Sequence, residues 1–370
     1  MNRDPEVAVI GAGIVGLACG AALARRGRRA VLLERHASPG QEISSRNSQV
    51  IHAGLYYPTD SLKAQCCVEG RERLYSRCEL HGIAHRRTGK LVVASEPGEI
   101  EALERLARLG RANGAGALEL VDAGEVTRRE PRVRAHAGLW SPESGIVDVH
   151  ELLSSYQAEL ESLGSEIAFH TRVEGLERDG ALWRIETRSQ DGERFALRVP
   201  CIVNAAGLEA DRIAALAGLD TSALGYDQHL CKGDYFSVAP ALGKLTNHLV
   251  YPVPAAGGLG IHVTVDLGGR FRLGPDIEYV EDISYAVDPA KAESFAHAVR
   301  RYLPEIDARH LSPEMAGIRP KLQQPGGPVR DFVIAEESRN GAPGMVNLIG
   351  IESPGLTSAA AIAERVVTLI

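Results

Sequence analysis

The feature that most narrows what this chain can fold into is the spacing within residues 7–35, VAVIGAGIVGLACGAALARRGRRAVLLER. Val7-Ala8-Val9-Ile10 is a short, β-branched apolar run of the kind that makes a buried parallel strand. It passes directly into Gly11-Ala12-Gly13-Ile14-Val15-Gly16. An Ala-rich stretch to Arg26 has helical composition, Gly27 suits its C-terminal cap, and a second apolar run from Ala30 to Leu33 ends at Glu34. Gly11 permits the tight turn, Gly13 a close backbone approach to a pyrophosphate, and Gly16 close packing of helix on strand. At Ile14 and Val15 the helix start offers unpaired N–H groups and the positive end of its dipole. Glu34, about twenty residues on, can accept hydrogen bonds from ribose hydroxyls. An acid there disfavours a 2′-phosphate and hence NADP, but the motif alone does not separate NAD from FAD. The plain alternative is a Gly-rich βα turn that binds nothing.

Composition removes several classes of function. The chain has 370 residues, 44% of them hydrophobic, which suits two or three domains. Its net charge of −7 and the absence of a basic stripe argue against a nucleic-acid partner. No apolar run approaches the roughly 20 residues of a membrane span. Met1-Asn2-Arg3-Asp4-Pro5 leads almost at once into the first strand, and glycines interrupt the apolar stretch behind it. The expectation is a mature cytoplasmic chain, with peripheral membrane association left open. Cysteines at 19, 66, 67, 78, 201 and 231 form no CxxC pair and no Cys/His metal spacing. They read as free thiols with no metal site, a catalytic thiol being the lesser alternative.

Beyond Glu34-Arg35 the chain does not proceed to another simple βα unit. It runs through a polar segment, Ser44-Ser45-Arg46-Asn47-Ser48-Gln49, into Val50-Ile51-His52-Ala53-Gly54-Leu55-Tyr56-Tyr57. Such a segment suits a cofactor whose second phosphate and flavin need cover. With Ser61-Leu62-Lys63-Ala64 and Gly89-Lys90-Leu91-Val92-Val93-Ala94, these stretches resemble the L-2-hydroxyglutarate dehydrogenase/oxidase group of the D-amino-acid-oxidase-like flavoproteins. The resemblance covers nearly the whole chain and implies non-covalent FAD, since Gly317 to Lys321 contains no Cys. It implies a main-chain contact of Val173 with the adenine. Ala205-Ala206-Gly207, after Cys201-Ile202-Val203-Asn204, resembles the second dinucleotide signature. Gly350 and Glu352-Ser353-Pro354-Gly355-Leu356-Thr357 open a last helix that faces the flavin in the family. Arg35, Ser45, Asn47, Ser48 and Arg319 complete the expected cofactor set.

The fold expected is α/β: a discontinuous Rossmann-type FAD-binding domain (1–87, 150–220 and 330–370) with a mixed α+β, antiparallel-sheet substrate domain (88–149 and 221–329). Helices are expected over Ser61–His81, Glu99–Ala112, Val121–Pro131, Val149–Leu163, Pro289–Arg301 and Ser358–Leu369. Ile167–Val173 reads as one strand turned by Gly175–Gly180, and Leu139–Val149 as a turn-rich passage.

A flavin accepts a hydride at N5, so the protein must chiefly grip a carboxylate, orient C2–H and remove the hydroxyl proton. Arg319, in Gly-Ile-Arg-Pro, has the planar fork for a carboxylate, against the alternative of a structural Arg. His52 is the candidate base and His262 a weaker one. Lys232 and Lys321 are candidates for a second carboxylate, with solvated lysines as the alternative. Tyr57 and Tyr251 are candidate orienting groups. The activity implied is oxidation of an L-2-hydroxy acid, by resemblance L-2-hydroxyglutarate, to the 2-oxo acid. Oxidation of an amino acid or N-methyl amine such as glycine or sarcosine, an NAD-linked dehydrogenase, and a flavin-binding electron-transfer module remain open. So do oxygen, a quinone or a carrier protein as electron acceptor.

Overall fold

The computed structural model describes residues 4–254 and 260–370. Met1 to Arg3, which enter the expectation of a mature start, lie outside them.

The glycine-rich run folds as strand Val7–Ile10, helix Ile14–Arg25 and strand Ala30–Leu33. It sits inside a six-stranded sheet. In spatial order the strands are Val333–Glu337, Ala342–Ile349, Cys201–Asn204, Val7–Ile10, Ala30–Leu33 and Glu166–Ala168. Only the pairing of Val333–Glu337 with Ala342–Ile349 is antiparallel. Alternation along the strands divides the core. Val7, Val9, Leu32 and Val203 pack under the helices Ile14–Arg25, Leu62–His81, Val149–Ser162 and Gly355–Leu369. Ala8, Ile10, Leu33 and Ile202 pack against Trp183 and Ile185 of a three-stranded antiparallel sheet.

A nine-stranded sheet lies beside this assembly, with its own apolar core. Its long pair is His229–Val238 against Leu311–Lys321, antiparallel. Lys90–Ala94 runs parallel to Leu249–Pro252, which pairs in turn with Val263–Val265.

Several elements depart from the sequence reading. The expected strand over Ile167–Val173 is two strands, broken at Phe169-His170, where His170 has a φ of 53°. Thr171–Asp179 then continues as one strand, and Gly175 marks a bulge within it rather than a turn. The stretch stays in the sheet by pairing with Leu182–Ser189, with Glu174 as the extra residue of the bulge. The helix expected over Val121–Pro131 covers only Ala123–Arg129, because Val121 is taken by strand Glu119–Asp122. Asp122 caps it by accepting the Glu125 N–H at 2.8 Å. The turn-rich passage contains strands Ala137–Ser141 and Gly145–Val147, which pair in different sheets. The last helix starts at Gly355, one turn before the expected Ser358.

Gly16 shows how tightly the first turn is built. A Cβ there would lie 2.0 Å from the Gly11 carbonyl oxygen, a backbone atom that cannot yield cheaply. In an open helix Gly→Ala gains up to about 1 kcal/mol; here the clash reverses the sign. Gly16→Ala is expected to destabilise the protein by about 1–3 kcal/mol, read as a lowered unfolding midpoint. An unchanged or raised midpoint would contradict the packing described.

Candidate active site

The parallel strands end on one side, and three of the turns that follow them meet along a single cleft. These are Gly11–Val15, Ala205-Ala206-Gly207 and Glu352–Leu356. Residues 40–52 form its flank, and the nine-stranded sheet its far wall. The cleft encloses about 1790 Å³ of non-atom space, part of it open to solvent.

The glycine end fits a dinucleotide. Gly11, at φ 99°, lies so close to the Ala205 backbone that a Cβ would sit 2.6 Å from its carbonyl oxygen. A Cβ on Gly13 would meet only the Ser44 hydroxyl, at 3.2 Å, so this glycine keeps the wall open where a phosphate backbone would approach. The Ile14 N–H donates to Ser44 Oγ at 2.9 Å, and Leu17 is the first to bond back to the cap, so Val15 and Gly16 precede the intrahelical ladder. Glu34 is buried on the wall and held twice: the Ala12 N–H donates to Oε2 at 2.8 Å and the His36 N–H to Oε1 at 2.9 Å. Each oxygen keeps a lone pair for ribose hydroxyls. Val173 lies on the same wall, and the Thr171 N–H donates to the Glu34 carbonyl at 2.8 Å.

Other expected cofactor residues divide. Asn47 and Ser48 reach the wall; the Asn47 amide folds the segment on itself, donating to the Ser44 carbonyl at 2.7 Å and accepting the Gln49 N–H at 2.8 Å. Arg35 is on the wall but clamped between Glu42 and Glu209. Gly16, Ser45, Gly350 and Thr357 lie behind the wall. Gly16 supports Gly11, Ser45 Oγ donates to the Glu42 carbonyl at 3.2 Å, and the Gly350 N–H donates to Gln228 Oε1 at 2.9 Å. Thr357 Oγ1 accepts the His52 N–H at 3.0 Å. Thr357 thus holds the His52 main chain from behind.

His52 and Arg319 both line the cleft. His52 Nε2 is 3.3 Å from Ser353 Oγ, and Nδ1 is buried with no hydrogen-bond partner among the described residues. Burial, with the charge of Lys90 adding to it, holds this imidazole well below the usual histidine range, so it is neutral at pH 7. Burial likewise makes the Tyr57 phenol, near Ser353, harder to ionise. Arg319 is held by three carbonyls: Cys231 at 3.3 Å, Lys232 at 3.2 Å and Asp276 at 2.8 Å. Its guanidinium lies over Gly233, where a Cβ would come within 2.7 Å of Nη2.

The two lysine candidates are corrected. Lys232 alternates with Gly233 and Tyr235, which face the cleft; its Nζ donates to the Ala286 carbonyl and lies 3.3 Å from Asp234. Lys321 Nζ lies 3.1 Å from Glu352, whose carboxylate also meets Lys63 Nζ at 2.9 Å. Burial acts to raise the pKa of Glu352, but Lys63 and Lys321, aided by Arg319, outweigh it and hold the carboxyl below its usual range. Glu352 therefore stays charged at the mouth of the last helix.

Tyr251 and His262 also line the cleft, their rings stacked 3.5 Å apart and 9° from parallel. Lys90 lies beside them: wholly buried, its Nζ is 4.1 Å from the centre of the Tyr251 ring. No side-chain role had been assigned to it from sequence. The one available signal was a lone charge opening the apolar strand Lys90-Leu91-Val92-Val93-Ala94. Tyr235 on the cleft wall was likewise missed, its alternation with Gly233 being the signal. The cysteines are unpaired, and all but Cys201 are buried. No helix among the described residues is long and apolar enough to cross a membrane.

A dinucleotide cradle opening onto an Arg/His-lined cleft defines a class, and the comparisons agree with it. The profile described as FAD dependent oxidoreductase matches residues 6–369, and the chain belongs to that family. It is 40% identical to the mitochondrial L-2-hydroxyglutarate dehydrogenase of Arabidopsis thaliana, over 98% of this chain and 82% of that protein. It is 28% identical to the L-2-hydroxyglutarate dehydrogenase of Escherichia coli K12, over 99% and 93%. Among solved structures, an FAD-bound L-α-glycerophosphate oxidase from Mycoplasma pneumoniae superposes with a TM-score of 0.89. It is 26% identical and is covered over 95% of its length by 100% of this chain.

The Glu352 network gives a pH signature. Its folded pKa lies below the unfolded value, so its contribution is complete above the ordinary carboxylate pKa of about 4.3. The contribution is lost as pH falls further. Glu352→Gln is expected to cost about 3 kcal/mol at pH 7, with the gap from the parent protein narrowing in acid below that pKa. Denaturant midpoints at the two pH values check this; a gap that does not change would contradict the ion-pair account.

Proposed function

We propose that this chain uses FAD to oxidise L-2-hydroxyglutarate to the 2-oxo acid. The observation that carries the reading is a neutral imidazole and a backbone-held guanidinium on the wall of the cleft that also holds the dinucleotide cradle. Bound FAD would take the hydride leaving C2, with its electron pair. Gly11 to Val15 and Glu34 would hold the cofactor's phosphates and ribose. Arg319 takes the carboxylate next to the reacting carbon, its fork pre-aimed by three carbonyls. His52 accepts the hydroxyl proton at Nε2, with Ser353 Oγ beside that nitrogen and Thr357 holding the His52 main-chain N–H. The Tyr251–His262 stack forms part of the far wall.

The L-hydroxy acid is supported by the names of the relatives at 40% and 28% identity. Amine oxidation finds weaker support: glycine oxidase from Geobacillus kaustophilus shares the fold at 21% identity, and a neutral amine needs no base in the place of His52. The same proposal divides the chain into a cofactor part (1–87, 150–220 and 330–370) and a substrate part (88–149 and 221–329). All strands of the six-stranded sheet fall in the first and all of the nine-stranded sheet in the second.

The test is anaerobic reduction of the FAD-loaded protein by L-2-hydroxyglutarate, its D enantiomer, glycine and sarcosine. Flavin bleaching by the L-hydroxy acid alone is expected. Bleaching by the amines instead, or by none of them, would overturn the proposal. His52→Gln should slow the bleaching step about 10²–10⁴-fold with little change in substrate affinity. Arg319→Met should chiefly weaken affinity, and rapid-mixing traces at varied substrate separate the two effects.

A further inference from the structure

Lys90 is a buried cation beside the cleft that takes no part in the proposed reaction. It opens strand Lys90–Ala94, which runs parallel to Leu249–Pro252; that strand is flanked on its other side by Val263–Val265. The register sets Lys90 beside Leu249, and Val250 opposite Val263. Side chains of Lys90, Tyr251 and His262 therefore form a row across three adjacent strands, on one face of the sheet. His262 stacks on the Tyr251 ring at 3.5 Å and Lys90 Nζ lies over it at 4.1 Å. A ring centred 3.5 Å away leaves no room for an ammonium on the same side, so Lys90 is on the opposite face. Tyr251 and His262 front the cleft; Lys90 stands one aromatic ring behind that front.

Among the described residues, no acid pairs with Lys90. Its Nζ is buried with no hydrogen-bond partner among the described residues. Besides His262 across the Tyr251 ring, four ionisable groups among the described residues surround it: Tyr251 on the neighbouring strand, Tyr56 with its ring centre 5.4 Å away, Cys67 from helix Leu62–His81, and His52. Burial keeps Cys67 and Tyr56 protonated and His52 unprotonated, so all of them are neutral at pH 7. Burial also pushes the ammonium down to about 7. An uncompensated lysine in such a place is costly, and a negative group entering the cleft is what would relieve it. Lys232 and Lys321, the expected partners of a second carboxylate, are already engaged by Asp234 and Glu352.

We infer that Lys90 is a specificity-determining residue: the buried counter-charge that lets the Tyr251–His262 end of the cleft accept the second carboxylate of a dicarboxylate substrate. The inference rests on the proposed function only for the assignment of the first carboxylate to Arg319. It explains what would distinguish a diacid from a monoacid at the Tyr251–His262 end of the cleft, behind which Lys90 lies.

The test uses FAD-loaded protein with two ligands that cannot be oxidised, glutarate and butyrate, followed through perturbation of the flavin absorbance. The parent protein should prefer glutarate. Lys90→Met should weaken glutarate at least about tenfold, equivalent to about 1.4 kcal/mol, and leave butyrate within about twofold. Lys90→Arg, which keeps the charge, should retain the preference. Equal losses for both ligands, or an unchanged preference in Lys90→Met, would overturn the inference. Should Lys90→Met not bind flavin, the parent protein decides by pH. Its glutarate-over-butyrate preference should fall as pH rises through about 7 and beyond, as the ammonium loses its proton; a flat preference would overturn the inference. Because neither ligand is oxidised, a failure of L-2-hydroxyglutarate to bleach the flavin is read separately.

Discussion

The contact on which the rest depends is backbone against backbone: Gly11 against Ala205 on one side and against Gly16 on the other. No side chain fits at either point. The first strand, the strand Cys201–Asn204 and the first helix are thereby brought together at their ends, and the cleft opens where they meet. Buried polar groups lock the neighbouring strand in place. Asn204 Nδ2 donates to Asn347 Oδ1 at 2.8 Å, and Asn347 Nδ2 to Glu337 Oε1 at 2.9 Å. Each donor in that chain is satisfied, which keeps its burial affordable in a low dielectric. Glu34 repeats the device on the other side of the first strand, tying the end of its own strand to the Ala12 and His36 amides.

The far wall follows a different logic. His229–Val238 and Leu311–Lys321 pair Gly233 with Gly317, leaving a platform without side chains. Arg319 lies over the first glycine, and the Arg46 carbonyl would meet a Cβ on the second at 2.3 Å. The Arg319 guanidinium is therefore fixed by main-chain carbonyls rather than by an acid, so its charge is left free for an anion. Two lysines close on Glu352 instead, at the start of the last helix. The site thus separates its charges: paired ones at the helix mouth, unpaired ones where the ligand's carboxylates would sit.

Much of the dinucleotide half was legible because its constraints are local. Gly11, Gly13, Gly16 and Glu34 are set by spacing along one βαβ unit, and spacing is what a sequence displays. His52 and Arg319 came from resemblance rather than from periodicity, since nothing local tells a cleft histidine from a core one. The failures have one physical cause. Lys232 and Lys321 were read as available cations, but what occupies a cation is decided across strands, by Asp234 and Glu352. Lys90 was passed over for the same reason. Its strand is buried throughout, and only the row formed with Tyr251 and His262 gives its charge a direction. Gly175 misled as a turn signal because partner strands, not its own preference, set its conformation.

The central claim is that one cleft holds the cofactor and a hydroxy diacid between Arg319 and the Tyr251–His262 wall. A crystal structure of the FAD-loaded protein with bound glutarate tests it most directly. The account predicts one carboxylate on the Arg319 guanidinium and the other against the Tyr251–His262 wall in front of Lys90, with His52 Nε2 facing the carbon next to the first. Glutarate bound away from Arg319, or with both carboxylates turned from the Tyr251 wall, would contradict it.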